Sequence, residues 1–381
     1  MKYYTVEGNK KSISKVFIIY FACMMAFSSI RIISSIGVLY SASKFADAIY
    51  SLIIQIGILF LLPFVLYMTL IKIKPKEVFE HCNYFKISIT VILISVVLGI
   101  LSFIINVAVS TLFNGILVFT GYKFPTGGGG EADYSIGNFF FQLFLVAALP
   151  ALCEEFLHRG IILQGTKHIG FGKSIIISSL LFALMHFNIQ QTFYAFVVGL
   201  IMGFVAVVGK NIWPAIIIHF VNNACAVYLD FAAARGWLFG DFLSEFNNFL
   251  SKNNLVIIFI AVSFVMIVVV SLLCVFIWLL YRQALVRKVN KAINKAYENF
   301  SMSSVNRPIK LGGEEHDVIV DLLESSTLLN LEAKVLENPI VAVMPKEKSR
   351  YMPSLMDRLF LWGSIMLGTL ITLFTYIWGL F

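Results

Sequence analysis

The chain has 381 residues, 59% of them hydrophobic and only 13% charged, with a formal net charge of +8. A water-soluble fold of that size needs far more polar surface, so the excess apolar area must face lipid. The basic residues lie in short loops between apolar runs and not in one aromatic-interleaved stripe, which argues against nucleic acid as a partner.

Runs of about 20 apolar residues, the length that crosses a hydrocarbon core, recur along the sequence. Candidate spans are expected at about 16–40, 48–71, 87–113, 136–165, 174–188, 190–208, 212–230, 255–281 and 359–380. The fold class is therefore all-α: a polytopic helical membrane protein of about eight to nine transmembrane helices, with its site inside the bundle. The opening MKYYTVEGNKK shows no small-residue cleavage site, so the first run reads as a retained span and not as a removable signal peptide. Arg31 either ends that span early or snorkels from it.

The loop charges give an orientation. Lys2, Lys10, Lys11 and Lys15 precede the first span, Lys72, Lys74, Lys76 and Lys86 fill the second loop, Lys167 and Lys173 the fourth, and Lys210 the sixth. Arg282, Arg287, Lys288, Lys291 and Lys295 follow the eighth span, and Lys346, Lys348, Arg350 and Arg358 precede the ninth. These are alternate loops, so the positive-inside rule predicts a cytoplasmic amino terminus, a cytoplasmic 282–358 segment and an outer carboxyl terminus. Gly127–Gly130 then falls in an outer loop as a flexible connector.

The expected organisation is N-terminal helices over 1–135, a polar-residue-bearing core over 136–230, an outer loop and helix over 231–281, a polar segment over 282–358, and a last helix over 359–381. In the polar segment Leu285, Val289, Ala292, Ile293 and Ala296 share a helical face ringed by Arg287, Lys288, Lys291 and Lys295. That pattern suits a basic amphipathic helix on the inner leaflet; a solvated cytoplasmic helix accounts for it equally. Cys23, Cys82, Cys153, Cys225 and Cys274 are scattered without CxxC spacing and read as small hydrophobes. His81, His168 and His316 fall in polar loops and read as solvated.

Ionisable residues inside spans are costly and usually functional. They concentrate in Glu154-Glu155-x-x-His158-Arg159, in His186, and in His219-Phe-Val-Asn222-Asn223. Glu155 and Arg159, four apart, share a helical face and suit an internal ion pair. Glu154 points about 100° away, with His158 at i+4 as its one local cation; His158 itself reads as a bystander at the pore mouth. His219 and Asn223 also share a face, while Asn222 suits a helix-packing hydrogen bond. Counting from the basic loops puts Glu154, His186 and His219 at depths of roughly 17, 20 and 13 Å, a common level within boundary error. A buried carboxylate is a competent general base for water, and an imidazole N–H with an Asn amide can stabilise an oxyanion. Cys153 lies about 100° off the Glu154 face and is a poor nucleophile candidate.

Glu154-Glu155-x-x-x-Arg159, Phe182-x-x-x-His186 and His219-x-x-x-Asn223, in that order on successive apolar helices, resemble the three motifs of the CAAX protease and bacteriocin-processing (CPBP) membrane peptidases. The resemblance spans roughly residues 136–230. It implies an intramembrane endopeptidase in which Glu154 and His186 activate water, His219 and Asn223 form the oxyanion site, and Glu155 with Arg159 support the architecture. It implies no covalent acyl-enzyme, and the residues need no metal or other cofactor to make a base and an oxyanion site; the expected substrate is a membrane-embedded or lipid-anchored peptide or protein. A zinc-dependent form is the alternative, with Glu154, His186 and His219 as ligands and a water in the fourth place. A non-catalytic membrane scaffold or immunity protein is the alternative from another class. An ion-coupled transporter predicts inverted repeats, which the sequence does not display.

Overall fold

The computed structural model describes residues 6–35, 44–124, 133–252, 264–283 and 354–380. The Gly127–Gly130 connector, the amphipathic helix expected after Arg282, and His316 lie outside the described residues. So do the last residues of the expected first span and the first ones of the eighth.

All regular structure among the described residues is helical. In chain order the elements are α1 (Val6–Ser35), α2 (44–71), α3 (Pro75–His81), α4 (Ile89–Phe119), α5 (Ile136–Ile169) and α6 (Phe171–Leu184). They continue as α7 (Ile189–Val208), α8 (Trp213–Arg235), α9 (Phe242–Lys252), α10 (Phe264–Gln283) and α11 (Leu355–Trp378). Eight of these are long and apolar enough to cross a membrane, and the protein is an integral, multi-pass helical membrane protein.

The helix starts follow local chemistry. Ser88, Ser135 and Asn188 each accept from a backbone N–H in the first turn of α4, α5 and α7, and Ser354 with Asp357 forms a capping box on α11. Gly236, at φ 66°, closes α8 in the left-handed conformation that glycine adopts without penalty.

Two helices depart from the expected spans in ways that matter. The third span, expected to end at 113, continues as α4 to Phe119. The fifth, expected over 174–188, is a helix of only 14 residues, Phe171–Leu184. At 1.5 Å per residue such a helix is about 21 Å long, short of the hydrocarbon core, so α6 ends within the depth of the bundle. Gly170, at φ 107°, breaks the chain between α5 and α6, and Phe187, at φ 49°, turns it between α6 and α7.

Two apolar clusters flank the middle of the chain. One is built from α1, α2, α11 and the inward face of α5, with Tyr20, Cys23, Ile58, Phe156 and Ile161. The other is built from α4, α6, α7, α8 and α10, with Leu98, Phe182, Met202 and Ile218. The polar residues of α5, α6 and α8 lie at the seam between them.

The loops sort into two ends. At one end Lys15 Nζ donates to the Leu70 carbonyl, Asn211 Nδ2 to the Phe85 carbonyl at 2.8 Å, and the Ile212 N–H to the Asn83 carbonyl at 3.2 Å. His81, expected to be solvated, is partly buried there against the Tyr67 ring; burial and then the Lys167 charge lower its pKa, against the pull of Glu77 and Glu80. At the other end Arg235 donates to the Tyr134 carbonyl at 2.8 Å and the Lys123 N–H to the Gly379 carbonyl at 2.6 Å. The described Lys-rich loops therefore share one end of the bundle.

Candidate active site

α5 is not a uniform helix. Leu143–Ala148 and Phe156–Ile162 are π-helical stretches on either side of the α-helical Leu149–Glu155, which carries the two glutamates. π-turns shift the register of side chains and leave carbonyls in need of donors. Ser178 Oγ, from α6, meets the His158 carbonyl at 2.8 Å. Pro150 has no N–H to give the Val146 carbonyl four residues back, and Asn223 Nδ2, from α8, donates to that oxygen at 3.0 Å.

The Glu155–Arg159 pair expected from the sequence is formed and fully enclosed. Arg159 Nη1 meets Glu155 Oε1 at 2.8 Å, both side chains having zero exposure. Arg159 Nη2 donates to the Gly199 carbonyl of α7 at 3.0 Å, and the guanidinium carbon sits 4.5 Å from the centre of the Phe182 ring. Glu155 does more than neutralise Arg159: its Oε1 also accepts from His219 Nδ1 at 3.0 Å. A carboxylate can only accept, so Nδ1 carries the proton and His219 turns Nε2 toward Glu154, 4.0 Å from Oε2.

Glu154 is the more open of the two acids, with 14% of its side chain exposed. Its Oε1 accepts from Gln55 Nε2, on α2, at 2.8 Å. The sequence reading missed Gln55, although a signal was there: it is the one carboxamide in the 48–71 span, set among isoleucines.

His186 follows the end of α6. Its Nδ1 lies 2.9 Å from the Phe182 carbonyl, which again assigns the proton to Nδ1 and frees Nε2, and it is within electrostatic reach of Glu154 and Arg31. Arg31 neither ends α1 nor snorkels; it donates to the His186 carbonyl at 3.0 Å, and α1 runs on past it to Ser35. The Phe182 ring is the common wall, edge-on to His158, His186 and His219 at centroid distances of 5.1, 5.0 and 5.7 Å.

His158 is not at a pore mouth. It is 1% exposed, enclosed by Tyr20 and Phe182, with Nδ1 held by the Glu154 carbonyl at 2.8 Å. Its ring does not bond the Glu154 carboxylate: Nδ1 meets the Glu154 backbone carbonyl, and Nε2 is buried without a hydrogen-bond partner. Asn222 links α8 to α4 by accepting from Asn106 at 3.3 Å, and its own amide donates to Asn223 Oδ1 at 3.0 Å, fixing which way the Asn223 amide faces. Cys153 is buried in the apolar cluster, and all five cysteines are free.

A cavity of about 540 Å³ opens between α2, α5 and α8, lined by Ser51, Asn138, Gln142, Val146 and Asp230 among others. Ser51 is one turn from Gln55, and Val146 holds Asn223, so the cavity lies next to the polar seam. Zinc ligands converge within about 2.0–2.2 Å of one ion. Among the described residues no three His, Cys, Asp or Glu side chains are gathered in that way.

Comparison with curated proteins gives no match, and comparison with solved structures gives none. Residues 136–225 match a family model, Rce1-like, described as type II CAAX prenyl endopeptidase Rce1-like. That segment holds Glu154, Glu155, Arg159, His186, His219 and Asn223, and the match supports a CPBP/CAAX intramembrane peptidase family for this part of the chain.

Proposed function

We propose that the protein is an intramembrane endopeptidase that hydrolyses a peptide bond of a membrane-embedded or lipid-anchored peptide or protein, with water as the nucleophile. The observation that carries this reading is the pairing of an accessible Glu154 carboxylate with a His219 ring that Glu155 holds by its far nitrogen. Glu154 takes one proton from the water, and His186 Nε2, a lone pair, accepts the other hydrogen. The hydroxide attacks the scissile carbonyl. His219, with Nδ1–H held by Glu155, donates to the oxyanion through Nε2 in its doubly protonated form, and the second N–H of Asn223 completes the site. The proton held by Glu154 passes to the departing amine as the C–N bond breaks.

No step runs through a metal, so extensively chelated protein keeps its activity. The amino terminus and 282–358 face the cytoplasm. The test compares the membrane peptides of cells carrying wild-type or Glu154→Gln protein by mass spectrometry. The variant is expected to fold and to lose about 10²-fold or more of the cleavage. Identical peptide sets, with both proteins folded in the membrane, overturn the reading.

A further inference from the structure

Gln55 lies on α2, outside the segment that matches the peptidase family, yet its amide makes the one direct side-chain hydrogen bond to Glu154 among the described contacts. The two ends of this side chain are treated differently. Nε2 donates to Glu154 Oε1 at 2.8 Å, whereas Oε1 is buried without a partner. An ionised carboxylate has no hydrogen to give, so the end that meets it must be the NH2 group; the amide orientation is fixed by the contact. A glutamine retained for packing would satisfy both ends or be replaced by leucine, since a buried carbonyl without a donor destabilises the fold. Within the apolar π-helical stretch Ile53–Leu61, flanked by Ile54 and Ile56, the polar side chain is explained by Glu154 alone.

We propose that Gln55 is a positioning residue for the hydrolytic base: its N–H fixes the rotamer of Glu154 so that Oε2 faces His219 and the water. The proposal rests on the peptidase reading above. It makes the catalytic constellation a product of two parts of the chain, with α2 completing what α5, α6 and α8 begin. It also explains the π-helical stretch of α2. A register shift there sets which side chain of the turn is directed at α5, and Gln55 is the polar one.

The test measures stability and turnover together, because the two readings of Gln55 predict opposite results. Gln55→Leu removes both the donor and the unpaired oxygen. The proposal expects the purified variant to melt at or above the wild-type temperature while kcat falls about 10- to 100-fold, the scale of one hydrogen bond to a charged group, with KM changed less than about threefold. Gln55→Glu keeps the shape but retains a donor only while one proton is shared by the two carboxyl groups. Its activity should therefore recover as pH falls through a range in which Gln55→Leu stays low. A Gln55→Leu protein that melts lower but turns over at the wild-type rate per folded molecule assigns Gln55 to packing and overturns the proposal. So does a Gln55→Glu profile parallel to wild type. Glu154→Gln, assayed alongside, separates the two layers: if it too is fully active, the peptidase mechanism itself has failed, and the role of Gln55 with it.

Discussion

Glu154 and Glu155 are adjacent in sequence and chemically identical, and the structure separates their roles by surroundings alone. Glu155 is sealed between Arg159 and His219, whereas Glu154 keeps one oxygen on Gln55 and the other turned toward the imidazole. Glu155→Gln should therefore act on the fold first. It leaves a fully buried guanidinium without its counter-charge, a loss on the order of 3–5 kcal/mol, and it lets His219 rotate. Detergent-solubilised, size-exclusion-monodisperse yield measures this; wild-type yield for Glu155→Gln contradicts it. Asn223→Ala should act on the rate: its amide is fixed by Val146 and Asn222, so truncation removes a preorganised donor worth roughly 2.7–4 kcal/mol in the transition state. Steady-state kinetics should show kcat falling more than KM rises. The acid–imidazole–amide set was legible from spacing, because i, i+4 pairs on apolar helices leave few places for polar side chains to go. What escaped was the link from Glu155 to His219, 64 positions apart, and the contacts made by Gln55 and Arg31, which stand in their spans with no motif around them.

At the scale of elements, α6 is the telling one. A helix that stops inside the bundle leaves carbonyls without intrahelical partners where no water is at hand. Side chains supply donors there: His186 Nδ1 lies 2.9 Å from the Phe182 carbonyl, Arg31 of α1 donates to the His186 carbonyl at 3.0 Å, and Tyr20 Oη of α1 adds a second donor, at 2.6 Å, to the Leu181 carbonyl that the Met185 N–H also meets. The site histidine is thus also a helix-end donor. Apolar runs showed where helices lie, but not that the fifth is short or that α5 and α2 contain π-turns, since periodicity does not distinguish α from π over one turn. Close approach is the other requirement. A methyl group added at Gly199 of α7 would come within 3.1 Å of Ser179 Cβ on α6 and 3.3 Å of Arg159 Nη2, the group that donates to Gly199. Gly199→Ala should therefore cost about 1–3 kcal/mol by forcing α7 off α6. Gly115→Ala on α4, where the added carbon meets nothing within 4 Å, should be neutral or better. Thermal melts of the two purified variants check the contrast, and equal melting temperatures contradict it.

At the scale of the whole molecule, the sorting of charge predicts the sidedness of the site. Lys15, the α2–α3 turn, the Asn83–Phe85 segment and the Asn211 turn meet at one end. Tyr122, Tyr134, Gln190 and the end of α11 gather at the other, together with the cavity. Each Lys or Arg near an anionic cytoplasmic leaflet contributes about 1 kcal/mol, so an end carrying Lys15, Lys72, Lys74, Lys76 and Lys86 has a strong preference for that side. The opposite end carries Asp133, Asp230, Asp241 and Glu245 around fewer basic residues. In a background with Cys225 and Cys274 replaced by serine, an impermeant maleimide should label Leu238→Cys, whose parent side chain is 72% exposed, in intact cells. Lys74→Cys should react only after permeabilisation. The cavity between α2, α5 and α8 then opens toward the outer side, and a substrate reaches Glu154 along the start of α5. Labelling in the reverse order turns the bundle over and brings the substrate from the cytoplasm; it leaves the geometry of Glu154, His186 and His219 unchanged, because that geometry depends on helix–helix contacts and not on which face of the membrane they meet.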